Sequence, residues 1–375
     1  MNAIKRMQTM LCALVLLFFS TQFLHAQALS IPSQNWGLSI GNSKNFTGLR
    51  INFRDKNIGE LNGVNISFWK PAKNYSGQLT GLGVGLVGPA ATDLKGVMLG
   101  GLSVQAERSL SGISLGLIAV GAGDDVHGIN LGGIATGSGG DLWGINIGGF
   151  AIGAGQDVTG INLGGFACGA GESLSGLNIG GFACGAGEDL KGISMALFAS
   201  GAGESMSGLS IGGFACGAGE NVRGITVGGF AVGAGKNLSG ISTALFAVGS
   251  GQILKGLSVA GFAVGAGEEL RGISVAGFAA GAPDIIGFTA ASLIKGTNHK
   301  GIALAPLYFS LKETGEFRGL SISAFNRING TQRGLNVGLV NLAGELNGLQ
   351  LGVINIALSN PGWARVLPVF NKNFQ

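Results

Sequence analysis

Glycine recurs at positions 96, 112, 128, 144, 160, 176, 192, 208, 224, 240, 256 and 272. The spacing defines twelve consecutive sixteen-residue repeats, the last one residue short before Gly287. Each reads G-[I/L/V]-x-[L/I/V/M]-[G/A]-[G/L]-[F/I/L]-[A/S], then a Gly/Ala-rich corner, a polar pair, an aliphatic residue and one variable residue. With that glycine as place one, residues 160–175 (GINLGGFACGAGESLS) are a typical copy. A helix is untenable here, because each interior glycine costs about 1 kcal/mol relative to alanine. Apolar residues at places two and four, usually with Asn, Ser or Thr between, have the period of a strand. GAGED and its variants punctuate the strands as turns.

Two all-β architectures suit this spacing. In a β-solenoid one repeat is one coil and equivalent residues stack in parallel. In an antiparallel meander or transmembrane β-barrel one repeat is one strand and directions alternate. A barrel has short turns at one end and longer loops at the other, and aromatic girdles at both interfaces. The turns here show no odd-even alternation, and the Ala-Leu-Phe variants at 196–198 and 244–246 are three repeats apart. Both tyrosines, Tyr75 and Tyr308, lie outside the regular array, and of four tryptophans only Trp143 lies in it. A β-solenoid of sixteen-residue coils is therefore the expected fold, with the meander or barrel as the alternative.

Stacking predicts rows of like residues. Ile161, Leu177, Ile193 and Leu209 form one expected core row, and Leu163, Ile179, Met195 and Ile211 another. Phe150, Phe166, Phe182, Phe198, Phe214, Phe230, Phe246, Phe262 and Phe278 form an aromatic row. Strict alternation puts Ile161 and Leu163 on one face and Asn162 and Phe166 on the other. Phe166 joins the core only if the chain breaks phase near Gly164 and Gly165. Otherwise the phenylalanines form an outer hydrophobic stripe, a candidate binding or membrane-facing surface.

Flanking copies are less regular. FTGLRINF and LNGVNISF lie near 46–68, and beyond Gly287 the repeats run to between fourteen and eighteen residues, tightening from Gly319 to fifteen and then fourteen. The expected organisation is a signal peptide (1–26), an irregular N-terminal cap (27–95), the regular array (96–287), degenerate repeats (288–357) and a C-terminal cap (358–375). Lys5 and Arg6, a short apolar run and small residues near Ala26 are the signal-peptide features. Removing Lys5 and Arg6 lowers the formal net charge from +4 to +2, too little to draw nucleic acid. Three cysteines then remain, Cys168, Cys184 and Cys216, poor material for a disulfide framework.

Catalytic and cofactor chemistry find few candidates. FAVGAGKN (230–237) has Phe230 where a phosphate loop needs glycine and Asn237 where it needs Ser or Thr. His127 and His299 are far apart in sequence and read as solvated turn residues. The cysteines share place nine with Ile152, Ser200, Val232, Val248 and Val264, which reads as packing. Glu172, Glu188, Glu204 and Glu220 share place thirteen in consecutive coils and would stand about 5 Å apart. Such a row repels itself. A divalent cation or a basic partner would offset the repulsion; carboxylates splayed into water are the plainer alternative. Asp125, Asp141, Asp157, Asp189, Asn221 and Asn237 at place fourteen suit Asx turns. The polar row at place three, Asn162 and Asn178 through Ser258, has too few threonines for an ice-binding face.

At GLNVGLVNLAGELNGLQLGVINIA (334–357) the chain resembles a family of bacterial exported surface-repeat proteins of Bacteroidota type, with modules of the form G-[LV]-Q-[LI]-G-[LV]-[IV]-N-x-A. The tail NPGWARVLPVFN is similar to the ends of several of them. The close match covers about residues 319–375, and in the array Ala or Cys replaces the motif's Asn341 and Asn355. The resemblance implies export and surface exposure, with no activity and no catalytic residue.

The expected function is a non-enzymatic, exported repeat protein, a structural or display surface at the envelope of a Gram-negative bacterium or secreted from it. It has no cofactor and binds an envelope or extracellular partner. An outer-membrane barrel or pore is the alternative. A carbohydrate-active β-helix enzyme is a third reading, resting on Glu188 or Glu204.

Overall fold

The computed structural model describes residues 28–72 and 77–374, so the signal-peptide reading and Tyr75 lie outside the described residues. The chain forms two compact units, Met1–Gln156 and Asp157–Gln375. Each is a β-solenoid. In the C-terminal unit Val158–Gly164 pairs in parallel with Leu174–Gly180, and Ala167–Ala170 with Ala183–Ala186, in a register that joins residues sixteen apart. One coil is thus a long strand, a corner, a short strand and a second corner. The N-terminal unit repeats the plan: Leu142–Gly148 pairs in parallel with Val126–Gly132, and Ala135–Ser138 with Ala151–Ala154. Parallel, in-register pairing of successive repeats excludes the antiparallel meander and the barrel within either unit. Two antiparallel strands are exceptions. Ala28–Pro32 lies against Trp36–Gly41, and Val366–Asn373 against the final coil from Gly348 to Ile356. Each pairs an edge that would otherwise present unsatisfied backbone groups.

The glycine at place one is compulsory for two reasons. Gly176 has φ +103°, a left-handed conformation that L side chains rarely adopt. A Cβ on it would also sit 2.1 Å from the carbonyl oxygen of Gly160 in the preceding coil.

The inward face differs from the expected one. The rows beginning Ile161 and Leu163 face outward, with Ile161, Ile193, Ile179 and Met195 exposed. The core is made of place five, which carries only glycine or alanine such as Gly164, Gly180 and Ala196, and of three other rows. Place fifteen supplies Leu174, Leu190, Met206, Val222 and Leu238; place nine supplies Cys168, Cys184, Ser200, Cys216 and Val232; place three supplies Asn162, Asn178, Ser194, Ser210 and Thr226. The reason is parity. Leu174 points in, and side chains along a strand alternate, so Asn178 four residues on also points in while Leu177 and Ile179 point out. The interior is too narrow for large aliphatics in every row: at the corner, place five holds nothing bigger than alanine, and a Cβ on Gly164 would lie 2.0 Å from the Ala167 carbonyl oxygen. The polar row at place three is therefore core, which withdraws it as a surface for ice. In the last coils the interior becomes more polar, with Ser321, Asn326, Gln332, Asn336, Asn341, Gln350 and Asn355 all buried.

Candidate functional site

The outward hydrocarbon face is the most distinctive feature of the C-terminal unit. Phe166, Phe182, Phe198, Phe214, Phe230, Phe246, Phe262 and Phe278 each remain 41–45% exposed. Their rings stack coil on coil with centroids 4.7–5.1 Å apart, six of the seven pairs within 5° of parallel. The backbone sets this spacing, since the Phe182 amide donates to the Phe166 carbonyl and the Phe214 amide to that of Phe198. The chain does break phase at this corner, where Gly165 and Phe166 are both exposed, but because Asn162 rather than Ile161 faces inward the break turns the rings outward. Phe150 belongs to the N-terminal unit and is also exposed. The long strands that lead to this corner turn Ile161, Ile193, Ile225, Ile241 and Ile273 outward as well, likewise exposed.

Stacking decides what this face can recognise. Each inner ring has both faces covered by its neighbours, so the row offers ring edges. A pyranose stacks on an open aromatic face, and the row offers one only at its ends. Ring edges and aliphatic side chains suit hydrocarbon instead. Two leucines stand out from the surface, Leu197 at 81% and Leu245 at 80% exposure. They occupy place six, where the other coils between residues 165 and 277 carry glycine. The sequence marks them only as variants three coils apart.

The glutamate row is set on a corner away from the rings. Its backbone runs coil to coil, with the amide of Glu188 donating to the Glu172 carbonyl at 2.8 Å and that of Glu204 to Glu188 at 2.8 Å. Glu172, Glu188 and Glu204 are exposed, which leaves their carboxylates in water. Glu220 is ion-paired at 2.5 Å with Lys236, the place-thirteen residue of the next coil. A basic side chain thus ends the run of four acids from within the same row. Among the described residues no group of three or more His, Cys, Asp or Glu is placed to hold a metal ion.

Place fourteen acts between coils instead of within its own turn. Asp125 Oδ1 accepts from the backbone N–H of Asp141, and Asp157 Oδ1 from that of Ser173, both at 3.0 Å. Asp189 instead pairs with Lys191 at 2.8 Å.

The three cysteines are buried free thiols. Cys168 and Cys184 are register neighbours, and contact with Cys184 together with burial pushes the Cys168 thiol up. Burial pushes Cys216 up to about 11. His299 is the clear departure from the turn reading. It is 1% exposed, takes the inward place next to Phe309 and Phe317, and burial lowers its pKa to about 4. His127 is half-buried and meets Trp143 edge-on at 5.6 Å.

Sequence reasoning passed over one further polar knot, in the N-terminal unit. Arg50 is fully buried, ion-paired to Asp55 at 2.5 Å and donating to Asn65 at 2.6 Å and Asn42 at 2.8 Å. The signal was present: Arg50 holds the third place after Gly48, an inward position in every regular coil. A shallow apolar groove of about 440 Å³ in the same unit is lined by Phe68, Val84, Leu86, Leu99 and Leu115.

No family model, curated protein or solved structure matches this chain.

Proposed function

We propose that this protein is a non-enzymatic, exported repeat protein, a structural or display surface at the bacterial cell envelope that engages its partner along the apolar face. The supporting observation is the distribution of hydrophobic side chains. The solenoid keeps serine and asparagine inside and turns phenylalanine and isoleucine outward in coil after coil. The narrow interior accounts for the serine and asparagine inside. Folding gives no reason to place phenylalanine, rather than a polar residue, on the outer corner of coil after coil, because burying apolar surface is its main favourable term. The resemblance of residues 319–375 to exported surface-repeat proteins supports the location.

Fractionation and surface labelling test the reading. The expected result is a processed chain in the envelope fraction, reactive with an impermeant amine reagent in intact cells and released by alkaline carbonate or urea without detergent. A cytoplasmic chain would overturn it. So would a carbohydrate-degrading turnover that disappears on Glu188→Gln or Glu204→Gln.

A further inference from the structure

We infer that the apolar face of the C-terminal unit pairs with the same face of a second copy of this chain, the two solenoids running antiparallel. The inference rests on the reading of that face as the working surface, and it names the occupant.

The first argument is area. An aromatic side chain carries about 150–250 Å² of surface, so eight phenylalanines left 41–45% exposed present roughly 700 Å². The isoleucine row and the two protruding leucines enlarge the face further. The largest apolar patch on a typical monomer is about 300–600 Å². A standard interface buries about 800 Å² on each partner. The face is therefore of the size a stable dimer needs.

The second argument is relief. Along place six the residues are Gly165, Gly181, Leu197, Gly213, Gly229, Leu245, Gly261 and Gly277. This row resists side chains. A Cβ on Gly213 would fall 1.8 Å from the Leu197 carbonyl oxygen, and one on Gly229 would fall 1.7 Å from that of Gly213. Leu245 is accommodated by a shift in the backbone. Its amide donates to Gly229, whereas the amides of Gly213 and Gly261 reach the residue before place six, Ala196 and Ala244. At Leu245 the chain thus departs from its regular path to install a side chain that is then 80% exposed, a cost with no return inside the fold, and Leu197 is exposed to the same degree.

A second copy supplies the return. A two-fold axis across the coils reverses the direction of the second solenoid and lays its place-six row on the first. Displaced by one coil, each Leu197 then faces the Gly261 of the other copy, and each Leu245 faces its Gly213. Two knobs and two flat sockets fit from both sides, as a self-complementary isologous interface requires. An axis along the solenoid would instead carry the row to the opposite side of the face. Lys191, Arg223, Lys255 and Arg271 border the face, and Lys191 and Arg271 are already ion-paired within the chain. Their long stems let the charges swing out to water at the rim.

Sedimentation equilibrium of the purified full chain should give a mass of two chains. Leu197→Asp with Leu245→Asp should weaken self-association at least 100-fold, with a melting temperature equal to that of the natural chain at dilutions where both are monomeric, because both residues lie on the surface. Cysteines test the geometry, since the native thiols are buried. Leu197→Cys with Leu245→Cys in one chain should form interchain disulfides, because these residues then lie about one coil apart, roughly 5 Å along the axis. Leu197→Cys alone should form none, lying about four coils from its own copy, roughly 20 Å. A monomer at every concentration, a mass beyond two chains, or cross-linking of Leu197→Cys alone would overturn the pairing. If the chain is monomeric but floats with phosphatidylethanolamine–phosphatidylglycerol vesicles, and the aspartate variant does not, the occupant is lipid and the surface reading survives. A monomer that neither floats nor loses envelope association on the aspartate substitutions overturns both.

Discussion

Asn341 donates its side-chain amide to Oδ1 of Asn355 at 2.7 Å and accepts from the amide of Asn326 at the same distance, all three fully buried. Each coil thus passes its hydrogen bond to the next. Asn341→Leu removes a donor from one neighbour and an acceptor from the other, and a buried group left unpaired costs about 1–3 kcal/mol. The expected loss is about 3 kcal/mol in urea denaturation. Ser258 is the contrast, a fully buried hydroxyl without a hydrogen-bond partner in the same kind of row. Ser258→Ala should be neutral or stabilise by about 1 kcal/mol, because it removes an unsatisfied polar group. Equal effects from the two substitutions would show that hydrogen bonding does not hold these interior rows.

Two glycines that look alike in the repeat should respond in opposite ways. Gly176→Ala meets both the positive φ and the Gly160 carbonyl 2.1 Å away, so it should cost about 2 kcal/mol or more. Gly185 has no positive φ, and a Cβ there would lie 3.8 Å from Gly201, an ordinary contact. Gly185→Ala should be neutral or stabilise by about 0.4–1 kcal/mol through the unfolded chain. Thermal melts of the two variants side by side decide the matter.

The period, the parallel stacking and the turns were legible from glycine spacing alone, since only a coil of fixed length keeps Gly160, Gly176 and Gly192 in phase. The inward face was not, because Ile161 and Leu163 drew attention as the apolar pair. The parity is set by Leu174, whose place is aliphatic in every regular copy and lies four residues before Asn178. The aromatic row was visible as a row, but its direction depends on the corner, where the strand alternation breaks and leaves both Gly165 and Phe166 exposed. Place fourteen reads as local turns because sequence shows neighbours along the chain, whereas Asp157 bonds a residue sixteen positions away. His299 looked like a turn residue beside Asn298 and Lys300, yet counting back two from Gly301 puts it at the buried aliphatic place.

The cysteines should behave as packing residues. Cys216 pairs in register with Val232, so Cys216→Val copies the adjacent coil and should cost less than about 1.5 kcal/mol. Burial holds the Cys216 thiol up at about 11, so folded protein should take up iodoacetamide very slowly at pH 8 and fully only in denaturant. Rapid labelling of the native chain would place these thiols at the surface, against the geometry.

His299 gives the fold an acid-sensitive position with a definite sign. Its pKa falls from the ordinary 6.5 to about 4 because the ring is buried, next to Phe309 and Phe317, with neither nitrogen hydrogen-bonded by a side-chain or backbone partner. Below pH 6.5 the unfolded chain binds a proton that the folded chain refuses, so stability is complete above that pH and declines as pH falls towards 4. The shift corresponds to a loss on the order of 3 kcal/mol. Carboxylates elsewhere also titrate in this range, so the informative measurement is a difference. His299→Leu restores the aliphatic residue that regular coils carry at this place. It should be at least as stable as the natural chain at pH 7, and its stability should fall less steeply between pH 6.5 and 4. Parallel stability–pH curves for the two proteins would contradict the burial of a neutral imidazole at this place.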